Sequence, residues 1–190
     1  MEEQEWKEIT CLEGKLCLKI PADWEEIAPS GERAGRIFPY GKLPQEIWGE
    51  GNLERIFTIN FLKKQLGEKQ VYPAIRQMQL LVSNIYPESI ESQARKIKTE
   101  AGMAGVFSFI TGGLREDNGH CMFILSVQGN MALGTYHFPA GRISEEKQML
   151  RRMIKAMRAD INKEKQILDS IWSNGIDIPE EWKELYYGKR

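Results

Sequence analysis

HCMFILSVQGNMALGTYHF, residues 120–138, is the stretch that decides the fold. Two apolar runs flank Gly129-Asn130, a two-residue hairpin signal. The first run, His120 to Gln128, reads as a buried strand, and the second, Met131 to Phe138, as its partner. Upstream, Asn118-Gly119 closes a loop from a strand over Met103 to Thr111. A polar strand over Ser89 to Lys98 precedes that one. Four strands in meander spacing predict one antiparallel sheet.

Helices flank the meander. Ile75, Met78, Val82 and Ile85 recur at three- and four-residue steps in a helix over 71–86, with Pro73 in its first turn. Downstream, Ser144 reads as the cap of a helix with Glu145 and Glu146 in its first turn. Its apolar stripe, Leu150, Ile154, Met157 and Ile161, continues through Leu168 and Trp172. One helix over 144–172 follows from that period, with a break near 160–163 as the alternative. Arg55 to Leu66 alternates Phe57, Ile59 and Phe61 with Thr58 and Asn60, as a strand does.

The chain opens with a hairpin over 7–12 and 15–20, turning at Glu13-Gly14. Keeping Ile9 and Cys11 on one face with Leu16, Leu18 and Ile20 pairs Cys11 with Leu16 and Thr10 with Cys17. Cys11 and Cys17 then point to opposite faces, so a disulfide is not expected. Pro21 stops the second strand. Residues 28–52 combine glycines and prolines with Phe38, Tyr40, Ile47 and Trp48. That aromatic content predicts an ordered loop lying on the core, with a short strand near Ile37.

Composition bounds the function. With 26 Lys+Arg against 27 Asp+Glu, the net charge of −1 argues against a nucleic-acid binder. No run approaches the roughly 18 apolar residues of a membrane span, and the acidic Met1-Glu2-Glu3 start is unlike a secretory leader. With three cysteines expected to be reduced, a cytoplasmic home is predicted. The expected architecture is α+β: a single antiparallel sheet with helices packed on it over 1–160. A helical extension over 161–190 is expected to pack on the core or on a second subunit.

Leu16-Cys17-Leu18-Lys19-Ile20-Pro21-Ala22-Asp23-Trp24, the strand Ile56-Phe57-Thr58-Ile59-Asn60, and Gly119 to Phe138 followed by the Ser144 helix together resemble the PsbP-like fold. The resemblance extends to DcrB and DUF1795-type bacterial proteins and covers roughly residues 7–160. It implies a binding or assembly protein. Some DUF1795-type relatives are chaperones for the membrane-spanning segments of secretion effectors.

The residues carry little recognisable chemistry. His120 and His137, the only histidines, fall diagonally on neighbouring strands, because the Gly129-Asn130 turn pairs Met122 with His137. A third metal ligand is missing from that face, and the reading is of two half-buried sheet histidines. Gly102, Gly105, Gly112 and Gly113 lack the Gly-Lys-Ser/Thr of a phosphate loop. Glu116-Asp117-Asn118-Gly119 reads as a hairpin loop, not a calcium loop. Met149, Met153 and Met157 read as the border of a buried helix face, and Arg151, Arg152, Lys155 and Arg158 as a solvated one. Ile178-Pro179-Glu180-Glu181-Trp182 echoes Ile20-Pro21-Ala22-Asp23-Trp24, as helix-start grammar explains.

The expected function is therefore a non-enzymatic cytoplasmic binding or assembly protein with a protein partner and no cofactor. Trp24, Phe38, Tyr40 and Trp48 are the expected partner-binding residues, since exposed aromatics anchor interfaces. A small-ligand or hydrolytic site under the 28–52 loop is one alternative, and a homodimerising structural module another.

Overall fold

In a computed structural model, described over residues 4–38, 43–112, 117–159, 173 and 175, antiparallel strands dominate. The strands are β1 (Trp6–Cys11), β2 (Leu16–Pro21), β3 (Glu25–Glu26), β4 (Glu46–Gly49), β5 (Ile56–Gln65), β6 (Ile90–Glu91), β7 (Arg95–Thr99), β8 (Gly102–Thr111), β9 (Asn118–Val127), β10 (Asn130–Pro139) and β11 (Arg158–Ala159). The α-helices are α1 (Glu32–Ile37), α2 (Val71–Ile85) and α3 (Ile143–Lys155).

The fold is α+β as expected, but the strands form two sheets. One large sheet runs β3-β4-β5-β10-β9-β8-β6, with β7 also on β8. The β1-β2 hairpin stays separate and gains β11 instead. Its apolar face, Leu16, Leu18 and Ile20, is buried in the main core with Phe57, Phe123, Leu150 and Ile154. Laid face-on over the large sheet, the hairpin cannot also extend its edge. Its register is the one the apolar pattern requires: Cys11 opposite Leu16 and Thr10 opposite Cys17. Glu13 and Gly14 both have positive φ, as a primed hairpin turn demands. All three cysteines are free and buried.

The large sheet is covered on both faces. On one, α3 and the hairpin enclose the main core, with Trp24, Phe57, Phe123 and Tyr136 fully buried. On the other, α2 packs on β8 and β9 through Val71, Ile75 and Val82. Farther along that face, α1 and its flanking segments cover Ile47 and Ile56 of β4 and β5.

Four further expectations are corrected. The segment near Ile37 is helical, and the short strand lies instead at Ile47-Trp48, where it extends the edge of β5. The polar strand over 89–98 divides into β6 and β7, both on β8, with Ser92 N–H donating to the Ser108 carbonyl between them (2.7 Å). Ser144 lies inside the helix, whose cap position is Arg142 after a 3₁₀ turn. The helix expected over 144–172 ends at Lys155. There the Met157 carbonyl accepts from Ala101 N–H (2.9 Å) and Arg158 pairs with Cys17, so the backbone joins the small sheet instead of continuing the helix. Leu168, Trp172, Trp182 and Leu185, with the rest of the expected 161–190 extension, lie outside the described residues. Met153 and Met157 are fully buried in the core, and Met149 is half-buried at its border.

Candidate binding cleft

Between α2 and the α1 segment, the middle of the large sheet is left partly uncovered. In an antiparallel ladder, directly paired residues share a face. The row Phe109, His120, His137 and Ile56 runs across β8, β9, β10 and β5, and the next row is Phe107, Met122, Thr135 and Thr58. Phe107 and Phe109 lie beneath α2, and Ile56 lies beneath the α1 segment. Met122, Leu133, Thr135, His120 and His137 remain half-buried between them. At the histidine end, the gap is a pocket of about 400 Å³ walled by Ile37, Phe38 and Leu53.

The wall opposite belongs to α2. Its buried stripe runs through Val71, Ile75 and Val82. On one flank Gln79 and Ser83 bond Glu91, the edge residue of β6. A helical step of 100° per residue puts Leu81 and Ile85 on the other flank, toward β10. Ile85, expected to be buried, is 66% exposed, and Leu81 is 54% exposed. The apolar stripe of α2 is thus wider than the sheet beneath it can cover.

The polar part of the floor is one hydrogen-bonded chain. Thr111 Oγ1 lies 2.8 Å from His120 Nε2, and His120 Nδ1 lies 2.7 Å from His137 Nδ1. His137 Nε2 is 3.1 Å from Thr135 Oγ1, which is 2.7 Å from Thr58 Oγ1. Phe109 stacks on the His120 ring at 4.7 Å. Burial holds His120 below the usual imidazole range, while burial and the neighbouring His120 push His137 down to about 4. Two neutral imidazoles satisfy every nitrogen: one Nδ1–H donates to the other Nδ1, and the threonine hydroxyls complete the chain.

This pairing differs from the diagonal one expected. The hairpin turns at Gln128-Gly129, both with positive φ, and Val127 pairs with Asn130. The turn centre falls one residue earlier than Gly129-Asn130, which shifts every partner by two and places His120 directly opposite His137. Either dipeptide is an acceptable two-residue turn, so the chain of threonines and histidines was hidden by a tie. The Leu81 and Ile85 flank was missed because the periodic stripe was assumed to be covered throughout.

The four expected partner-binding residues do not converge. Trp24 is fully buried, tilted against Tyr136 at 5.7 Å, because the turn after Pro21 directs it into the core. Trp48 pairs with Phe57 and packs against that same core, on the face opposite the cleft. Phe38 alone lines the cleft. Tyr40 lies outside the described residues. Among the described residues, no three His, Cys, Asp or Glu side chains are grouped to hold a metal, and no helix is long and apolar enough to cross a membrane.

No protein-family model matches the chain, and no curated protein does. Solved structures match its fold. Cyanobacterial PsbP (CyanoP) from Synechocystis sp. PCC 6803 superposes with a TM-score of 0.56 at 6% identity, over 84% of this chain and 95% of that one. A Bacteroides thetaiotaomicron VPI-5482 protein gives 0.51 at 16% identity, over 84% of this chain and 49% of its own. At such identities the likeness concerns architecture alone: the chain has a PsbP-like fold.

Proposed function

We propose that this is a non-enzymatic cytoplasmic binding or assembly protein of the DcrB and DUF1795 type. It holds an apolar segment of a protein partner in the cleft between α1 and α2. The observation that carries this reading is the exposed Leu81 and Ile85 flank beside half-covered Met122 and Leu133. Contiguous apolar surface of this kind marks interaction sites. Phe38 supplies an aromatic anchor at one end. Free, buried cysteines suit a reducing compartment.

A hydrolytic reading has one observation in its favour, the Thr111 hydroxyl at 2.8 Å from His120. A general base works best with a pKa near the operating pH. Both imidazoles are held below their ordinary range, which weakens that reading.

A photo-crosslinking residue at Leu81, compared with one at Arg152 on the opposite face, tests the proposal in native cells. A discrete adduct at position 81 that disappears with Leu133→Asp is expected. Equal adducts at both positions, or none at 81, would remove the cleft from the function. An adduct of twice the chain mass would instead make a second copy the occupant.

A further inference from the structure

A second cavity, of about 280 Å³, lies on the opposite face of the large sheet, between α3 and β7–β9. Four cations line it, and three of them face its interior: Arg95 from β7, and Lys147 and Arg151 from α3. No carboxylate lines it, and none of the three is ion-paired among the described residues. Lys147, Arg151 and Lys155 follow one another at four-residue steps. Like charges at that spacing disfavour a helix, and no acid stands three or four residues from Lys147 or Arg151 to offset them. Lys96, a fourth lining residue, places its ammonium over the Tyr72 ring instead.

The interior is apolar with a hydroxyl pair at its margin. Val106, Leu150 and Ile154 supply the apolar surface. Ser92 and Ser108 lie 2.8 Å apart, and Ser92 Oγ also accepts the Ser108 N–H at 2.9 Å. Whichever hydroxyl donates to the other, one proton of the pair is left for a further acceptor. Cys121 lines the floor as a buried thiol, and burial pushes it up to about 12 in spite of the nearby Lys147 charge, so it stays protonated. Unpaired cations and a spare donor around an apolar pocket fit a ligand with an anionic head and a short apolar body. A cavity of about 280 Å³ has room for a compact head and a short chain.

We propose that this cavity binds a compact anionic amphiphile, with a carboxylate or phosphate head on Arg95, Lys147 and Arg151 and a short chain against Val106, Leu150 and Ile154. The site is separate from the cleft, and it stands or falls independently of the partner-binding reading.

Calorimetric titration of the full chain tests it, with octanoate and octyl phosphate as probes. Controls are octanol, inorganic phosphate, and vesicles of phosphatidic acid. Both probes should bind one to one, with amide shifts at Ser108 and Cys121, and chains longer than eight carbons should add no affinity. The Lys147→Met/Arg151→Met variant should bind about tenfold more weakly or worse, and so should Arg95→Met, neither with a lowered melting temperature. Leu81→Asp in the cleft should leave binding intact. Octanol binding as tightly would overturn the anionic head, and inorganic phosphate binding as tightly would overturn the apolar body. Binding to the vesicles alone would make the cations a membrane-facing patch and overturn the pocket. Unaltered binding by both cation variants would overturn the assignment outright.

Discussion

Acid should destabilise this protein through the His120–His137 pair. In the folded chain the two Nδ1 atoms lie 2.7 Å apart, so only one proton can occupy the bond between them. A further proton must set N–H against N–H or charge a ring in the floor of the cleft. His137 is accordingly pushed down to about 4 by burial and by His120. An unfolded histidine titrates near 6.5. Below pH 6.5 the unfolded chain therefore binds more protons than the folded one, and stability falls as pH falls. The loss accumulates between pH 6.5 and about 4 and then levels off, while above 6.5 the pair contributes its full stability. For His137 alone, about 2.5 pH units at about 1.36 kcal/mol each amount to about 3.4 kcal/mol before solvent screening. Because the cleft is open to water on one side, about 2 kcal/mol is expected. Imidazole ¹H–¹⁵N spectra from pH 8 to 3.5 should show the His137 ring still neutral at pH 5.5 and the His120 ring titrating below its ordinary range. Urea melts over that range should flatten in His137→Gln relative to the natural chain. Rings titrating near 6.5, or identical pH slopes for the two proteins, would refute the argument and leave acid sensitivity to the carboxylates.

Two predictions concern the scaffold. A Cβ at Gly134 would lie 2.0 Å from Cζ of Phe123, whose ring is stacked on Phe57, so Gly134→Ala should cost about 1–3 kcal/mol or more. Phe123→Leu should rescue part of that loss in thermal melts, and additive destabilisation would contradict the clash. Tyr136 donates its hydroxyl to Glu146, which is 3% exposed, tying β10 to α3. Tyr136→Phe leaves that carboxylate without its hydroxyl partner and should lower stability by about 1–3 kcal/mol. An unchanged urea midpoint would show that water replaces the hydroxyl.

Local patterns specified the elements that local patterns can specify. The Phe57-Ile59-Phe61 alternation marks β5, and the three- and four-residue steps from Ile75 mark α2. Cys11 opposite Leu16 followed from apolar facing alone. What escaped is set by competition between distant segments. α3 stops at Lys155 because the β2 edge and Ala101 N–H take the backbone that follows, and no residue near 155 announces it. Trp24 looks like a surface anchor in its Pro-x-x-Trp turn, yet the space beside Tyr136 claims it. The histidine pair depended on which of two neighbouring dipeptides turns the hairpin. A shift of one residue in the turn centre moves every cross-strand pair by two, so a site built across β8, β9 and β10 is lost while the strands themselves are found.

The ionisable groups bear on whether such a protein acts by chemistry or by binding. A catalytic acid, base or nucleophile is useful when its pKa lies near the working pH. Here burial moves the candidates the other way. Cys121 is pushed up to about 12 and Cys11 higher still, so both remain thiols, while His137 is pushed down to about 4 and remains a weakly basic imidazole. The Tyr136 hydroxyl is raised as well, by burial and by its bond to Glu146. Cys11, His137 and Tyr136 also have their hydrogen bonds engaged within the fold, as the His120–His137 chain illustrates. The surfaces left unsatisfied are of another kind: an apolar helix flank at Leu81 and Ile85 on one face, and, on the other, the cations Arg95, Lys147 and Arg151, which have no ion pair among the described residues. Both are complements waiting for a ligand's own apolar surface or charge. That division supports binding over turnover, and it makes a sharp demand. Mutating His120 or His137 should change acid stability far more than partner capture, whereas mutating Leu81 and Ile85 should do the reverse. If both pairs alter capture equally, the histidine chain belongs to the recognition surface itself.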